Sequence, residues 1–170
     1  MVVNGYGPQM SDSTERKSKF WEYLEEEVNM AESLEIPIKM QLDSNAHLGN
    51  TVILDDPNQS PNTNGKLMLD FLKRTNLTVV NALDICQGVI TRSRKTTSGT
   101  EKSVLVFFLV CRRMRPFITR MVVDKNGDNK IVRFTKNKII ESDRNSLQLN
   151  FTLKFEPLKP DRVEIFNFKN

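Results

Sequence analysis

Three polar stretches and one aromatic residue carry the chemical potential of this chain. Asp43-Ser44-Asn45-Ala46-His47-Leu48-Gly49-Asn50 follows an apolar alternation, and strand ends in open sheets present polar groups of this kind to a crevice. Ser142-Asp143-Arg144-Asn145 precedes the last alternating segment, and Tyr6 stands between Gly5 and Gly7. Arg92, Arg94 and Lys95, interleaved with Thr91, Ser93, Thr96 and Thr97, form a flexible basic loop suited to phosphate contacts. Cys111-Arg112-Arg113-Met114-Arg115 adds positive charge beyond it. Each feature also has an ordinary reading: Asx-rich turns that cap the following segment, a half-buried aromatic near a bend, and a solvated basic loop. His47, the only histidine, invites a general-base role, with a plain turn residue as the alternative.

The elements that must position these groups follow from periodicity. Val2 and Val3 run into a Gly/Pro turn at Gly5, Gly7 and Pro8, a short strand with a bend. Asp12 with Glu15 predicts a capping-box start for a helix over 12–33, buried through Phe20, Trp21, Leu24, Val28 and Ala31. Trp21, Phe20 and Tyr23 read as packing residues of that helix. Ile36, Ile38, Met40 and Leu42 alternate with polar residues and predict a strand that delivers Asp43 and Asn45 to its end. Residues 50–63 are turn-rich, and Asn64 is expected to cap a helix buried through Leu67, Met68, Phe71 and Leu72. A strand is expected over 77–82, a polar loop over 90–99, and a strand buried on both faces over 104–111. Lys125-Asn126-Gly127-Asp128 signals a hairpin between 117–124 and 130–134. Leu147, Leu149, Phe151, Leu153 and Phe155 alternate with polar residues in the cleanest strand pattern of the chain. The order predicts an α+β (α/β) fold, with helices covering a mixed, largely antiparallel sheet.

The 170 residues suit one domain, here 1–156, followed by an exit linker over 157–170 that contains Pro157 and Pro160. With 38% hydrophobic and 27% charged residues the chain falls in the folded, non-disordered range. A net charge of +4 suits a polyanionic partner without selecting one. Cys86 and Cys111 lack metal-ligand spacing and read as reduced, buried thiols of an intracellular protein, nuclear or cytoplasmic, with a structural disulfide as the alternative. No apolar run approaches the roughly 18 residues that a membrane span needs.

Taken in order, Asn4-Gly5-Tyr6-Gly7-Pro8, Leu42-Asp43-Ser44-Asn45, Ser103-Val104-Leu105-Val106-Phe107 and Ser142-Asp143-Arg144 resemble four motifs of the endonuclease/exonuclease/phosphatase superfamily. Those motifs are a strand ending in Asn-x-Tyr-x-Pro, one ending in Gly-Asp-x-Asn, a Ser-x-x-Asp-Phe strand, and a terminal Ser-Asp-His. With Asn64-Gly65-Lys66-Leu67 and Arg162-Val163-Glu164-Ile165-Phe166-Asn167, the chain is most similar to the C-terminal half of the endonuclease domains of non-LTR retrotransposons. The resemblance implies a partial four-layer α/β/β/α sandwich and metal-dependent phosphodiester hydrolysis of DNA, with Mg²⁺ or Mn²⁺ polarising the phosphoryl group. By position, Asp43 would activate water, Asn45 would bond the phosphate, Tyr6 would meet the developing phosphorane and Asp143 would lie near the metal or its shell; His47 falls just after the motif and reads as a turn residue with no proton-transfer role.

Leu42 stands where the family has its glycine, and two further positions depart from that pattern in ways that touch the chemistry. Val106 stands where the family has the aspartate that orients the catalytic histidine, and Arg144 replaces the histidine itself. Valine accepts no hydrogen bond, and a guanidinium is no acid or base near neutral pH. Arg144 joins Arg92, Arg94 and Lys95 as a candidate nucleic-acid contact. The family's first half has no counterpart here, leaving apolar faces and a strand edge for a protein partner or a second copy to cover. The expectation is a retroelement-derived endonuclease-like domain, catalytically impaired in this form and able to bind DNA; the alternative is a non-catalytic scaffold that docks a protein or nucleic acid.

Overall fold

The computed structural model describes residues 1–124, 132–134 and 139–152. Its elements run β1 (Val2–Tyr6), α1 (Thr14–Ser33), β2 (Lys39–Asp43), α2 (Thr63–Thr75), β3 (Thr78–Val79), β4 (Cys86–Gln87), β5 (Arg92–Thr96), β6 (Gly99–Ser103) and β7 (Val106–Val110). β8 (Ile118–Val123), β9 (Val132–Phe134), β10 (Ile139–Glu141) and β11 (Leu147–Phe151) complete the series.

A four-stranded sheet of order β1-β2-β7-β3 forms the centre. β1 joins β2 in parallel through the α1 crossover, and β2 and β3 each pair antiparallel with β7. Register sets two faces, because partners across a ladder point the same way. On one face Val3, Met40 and Leu109 lie in a row, as do Gly5, Leu42 and Phe107. This face packs on α1 and α2 through Trp21, Leu24, Val28, Met68 and Phe71. On the other face Phe108 and Val110 meet a second sheet, β11-β8-β4, through Ile118, Met121 and Val123. The result is a mixed α+β stack of helices, central sheet and second sheet, three of the layers that the resemblance implies. Its innermost strand is β7, buried at every position, which is why 104–111 reads as continuously apolar.

Several expectations need correction. The cap of α1 is Ser13, whose hydroxyl accepts from Arg16 N; Asp12 instead accepts from Gln9 N and pairs with Arg16. The cap of α2 is Asn62, which accepts from Gly65 N, while Asn64 lies inside the helix and is fully buried. Tyr23 is exposed and stands outside both core clusters, whereas Trp21 is core. The expected strand over 77–82 shortens to β3 and passes into a 3-10 turn over Val80–Ala82. Residues 90–99 are no flexible loop: β5 and β6 form an antiparallel hairpin. Lys125-Asn126-Gly127-Asp128 lies outside the described residues, and β9 pairs with β10 while β8 pairs with β11 and β4. The stretch 153–170, including the expected linker, also lies outside them. Among the described residues no helix is long and apolar enough to cross a membrane.

Candidate functional site

The C-terminal ends of β1 and β2 lie side by side, and one row of the ladder reads Tyr6, Asp43, Val106 across β1, β2 and β7. The backbone beyond this row is tightly drawn together. Gly7 N donates to Asp43 O at 2.7 Å, and a Cβ on Gly7 would lie 2.6 Å from Ser44 O. Only glycine permits that approach. Asn45 adopts a left-handed backbone, φ +50°, a conformation Asn tolerates better than most residues. This turn lets its Nδ2 donate to Gly7 O at 3.0 Å.

Behind these turns stands Asn64. It accepts from Trp21 Nε1 at 2.8 Å and donates to the carbonyls of Pro8 and Ser44. One buried amide from α2 thus ties α1 to both strand exits. The pattern-based reading assigned Asn64 only a cap; its three partners lie far away in sequence, so no local signal could have found this role.

The other wall comes from β5 and from the turn before β11. Asn145, nearly fully buried, donates from its backbone to Thr91 O and from Nδ2 to Ile90 O. Thr91 Oγ1 in turn accepts from Leu105 N and Val106 N. These bonds hold Arg92 and Arg144 across from each other in an isolated bridge. Arg92 Nε donates to Asp143 Oδ2 at 2.7 Å, and Arg144 Nε donates to Asp43 Oδ2 at 2.7 Å. Arg144 also lies 3.7 Å from Asp143 Oδ1 and 3.5 Å from Asn45 Oδ1. The side chains therefore form an alternating row, Arg92, Asp143, Arg144, Asp43. Burial pushes the Asp143 carboxyl up, but the Arg92 hydrogen bond and the charges of Arg144 and Arg92 outweigh it and hold its pKa below the ordinary carboxylate value.

Tyr6, Asn45, Asp143, Arg92, Arg94 and Arg144 line one cavity of 520 Å³. Asp43 and Val106 line an adjoining cavity of 490 Å³ together with Arg144. The structure thus gathers Tyr6, Asp43, Asn45, Asp143, Arg92, Arg94 and Arg144 around one crevice. Lys95 lies next to Arg94 on the same strand, points to the opposite side, and is not part of this lining. His47 is tied to the start of α2 through Asn62, and its Nδ1 is buried without a hydrogen-bond partner. Burial lowers its pKa against the raising influence of Asp56 and Glu101.

The donor set does not suit a divalent cation. Each crevice carboxylate already binds a guanidinium, and among the described residues no three His, Cys, Asp or Glu side chains gather as a ligand group. Asp43 Oδ1 is buried and has no hydrogen-bond partner in the described structure. A Mg²⁺ ion drawn to it would meet the Arg144 charge at contact distance.

No family model matches the chain, and no curated protein matches it in sequence. Several solved structures share its fold, among them two nuclease-type domains. One is the endonuclease domain of TRAS1, a telomere-specific non-LTR retrotransposon, at TM-score 0.55 and 18% identity, covering 79% of this chain and 52% of that one. The other is an endonuclease/exonuclease/phosphatase family protein from Bacteroides thetaiotaomicron, at TM-score 0.50 and 12% identity, covering 88% of this chain and 48% of that one. The chain spans about half the length of each, and what it shares with them is the fold of an endonuclease/exonuclease/phosphatase domain.

Proposed function

We propose that this chain is a retroelement-derived nuclease-fold module whose crevice holds a nucleic-acid phosphate without hydrolysing it. The observation that carries the reading is the Arg144–Asp43 ion pair, 2.7 Å long and next to Val106. In the resembled family Asp43 would activate water; here its Oδ2 accepts from a group that never gives up its proton near neutral pH. Val106 can orient nothing, so no residue in the row moves a proton. The same substitution adds a cation. Arg94 has no ion-pair partner among the described residues, and beside Arg144 in the cavity lining it offers charge-assisted bonds to a phosphate diester. The likeness to the TRAS1 endonuclease domain supports DNA as the first polymer to test. Because both carboxylates are already neutralised, binding on this reading needs no Mg²⁺ or Mn²⁺.

The test is a plasmid-nicking assay with Mg²⁺ on the chain as it stands and on the double variant Val106→Asp, Arg144→His, with DNA binding followed by fluorescence anisotropy. The unaltered chain is expected to bind DNA with a salt-dependent affinity and leave the plasmid intact. Nicking by the double variant alone would support an inherited site. Nicking by the unaltered chain, abolished by Asp43→Ala, would overturn the reading.

A second reading, a scaffold that docks another protein or a second copy, is favoured by one observation. Among the described residues β1 pairs only with β2, and on its uncovered face Val2 is 70% exposed. Such an open edge accepts a further strand. Absence of DNA binding, with a stable dimer or a co-purifying partner on size-exclusion chromatography, would favour it.

A further inference from the structure

The phosphate-facing cavity is not alone at the end of β1. On the far side of Tyr6 lies a second cavity of 380 Å³, lined by Tyr6, Pro8, Gln9, Asp12, Arg16 and Phe20. Tyr6 and Gln9 belong to the walls of both. Tyr6 is 60% exposed, an unusual position for a large ring beside an amphipathic helix that carries Phe20 within reach. It stays there because residues 7–12 cannot fold over it. Asn64 holds Pro8 O, Lys17 Nζ donates to Met10 O at 2.8 Å, and Asp12 both donates to Gln9 O and accepts from Gln9 N. A preformed slot with aromatic rings on its walls and an amide at its mouth therefore opens beside a cavity that carries arginines.

We infer that this slot takes a nucleobase, so that the module binds an unpaired nucleotide with its phosphate among the arginines and its base between Tyr6 and Phe20. The inference rests on the phosphate-binding reading above. Rings accept any base by stacking, and the slot selects unpaired strands because a base within a duplex has both faces covered. The Gln9 amide can donate to and accept from a base edge. Arg16 is already paired with Asp12 at 2.9 Å, which closes the outer end of the slot with a neutral pair.

The chain carries its own reporter. Trp21, the only tryptophan, meets the Phe20 ring edge-on, with centroids 5.1 Å apart. A base stacked in the slot is expected to change Trp21 emission. The experiment titrates the full chain with a short single-stranded deoxyoligonucleotide, with the matched abasic oligonucleotide of the same phosphate count, and with the corresponding duplex. The base-bearing single strand should bind on the order of tenfold tighter than either other ligand and alone shift Trp21 emission. Phe20→Leu should bring it down to the abasic affinity. Gln9→Ala, on a surface loop outside the core, should lower it severalfold without affecting folding. Equal binding of base-bearing and abasic strands would overturn the base slot and leave phosphate binding standing. Binding of neither would overturn both.

Discussion

Asn64 offers the sharpest test of how this crevice is built. Its side chain is fully buried and serves three partners: Trp21 Nε1, Pro8 O and Ser44 O. In Asn64→Ala the indole N–H has no other acceptor, since Trp21 is only 1% exposed. An orphaned buried donor costs about 1–3 kcal/mol, and each carbonyl that loses its donor adds about 1 kcal/mol. The expected loss is thus roughly 3–5 kcal/mol, a large share of the roughly 5–15 kcal/mol that holds a domain together. Urea denaturation followed by Trp21 emission reads this directly, because the fluorophore is also the group that loses its partner. Asn64→Asp refines the test. It keeps the acceptor and the shape but turns an oxygen toward two carbonyl oxygens, so ionisation of the introduced carboxyl is disfavoured in the fold and its pKa rises. By linkage the variant should be weakest at neutral pH and regain stability as the pH falls and the carboxyl becomes a donor. A loss below about 1 kcal/mol for Asn64→Ala, or an Asn64→Asp variant that weakens on acidification relative to the parent, would refute the strut.

Three further outcomes are expected. Gly65→Ala would drive its Cβ onto the His47 carbonyl oxygen, a backbone atom that cannot swing aside, so the start of α2 must shift at a cost of about 3 kcal/mol; thermal unfolding measures it. Arg144→Ala leaves Asp43, whose side chain is 18% exposed, without its guanidinium, and should cost about 2–3 kcal/mol, with Arg144→Lys recovering only part because the ammonium cannot reproduce the fork; urea midpoints decide it. Burial holds the His47 pKa below the ordinary 6.5 in the fold. The stability this confers is present above that value and is lost as the pH falls through the lowered one. His47→Gln should therefore remove part of the acid sensitivity that sets in as the pH falls through the ordinary histidine value, read in paired denaturation curves.

Periodicity made the helices and the buried strands legible. α1, β2, α2, β7 and β11 each bury one face or both, and burial writes a period into the sequence. The β5–β6 hairpin buries almost nothing, so its polar run lacks the alternation that marks a strand. The cap of α2 escaped for another reason. Asn62 and Asn64 are equally good caps locally, and the choice between them is made by Trp21 and by two carbonyls on distant turns. The crevice was partly legible, since strand-end turns at Asp43 and Asp143 suggested polar groups at a rim. What the chain could not announce is which charge faces which: the Arg144–Asp43 pair spans 101 positions and depends on Asn145 and Thr91 locking two turns together. Arg92 illustrates the same limit, because a residue assigned to a flexible loop sits in a strand with its side chain only 18% exposed.

The alternation of Arg92, Asp143, Arg144 and Asp43 also has a kinetic meaning. Opposite charges spaced a few ångströms apart cancel beyond about one screening length, roughly 8 Å in physiological salt. On the phosphate-binding reading the row draws no polyanion from a distance, and encounter is guided by hairpin cations outside it, Arg94 and Lys95, which have no ion-pair partner among the described residues. Arg94, in the cavity lining, then serves both arrival and grip, whereas Lys95, outside it, serves arrival alone, so ionic strength should slow arrival more than it hastens departure.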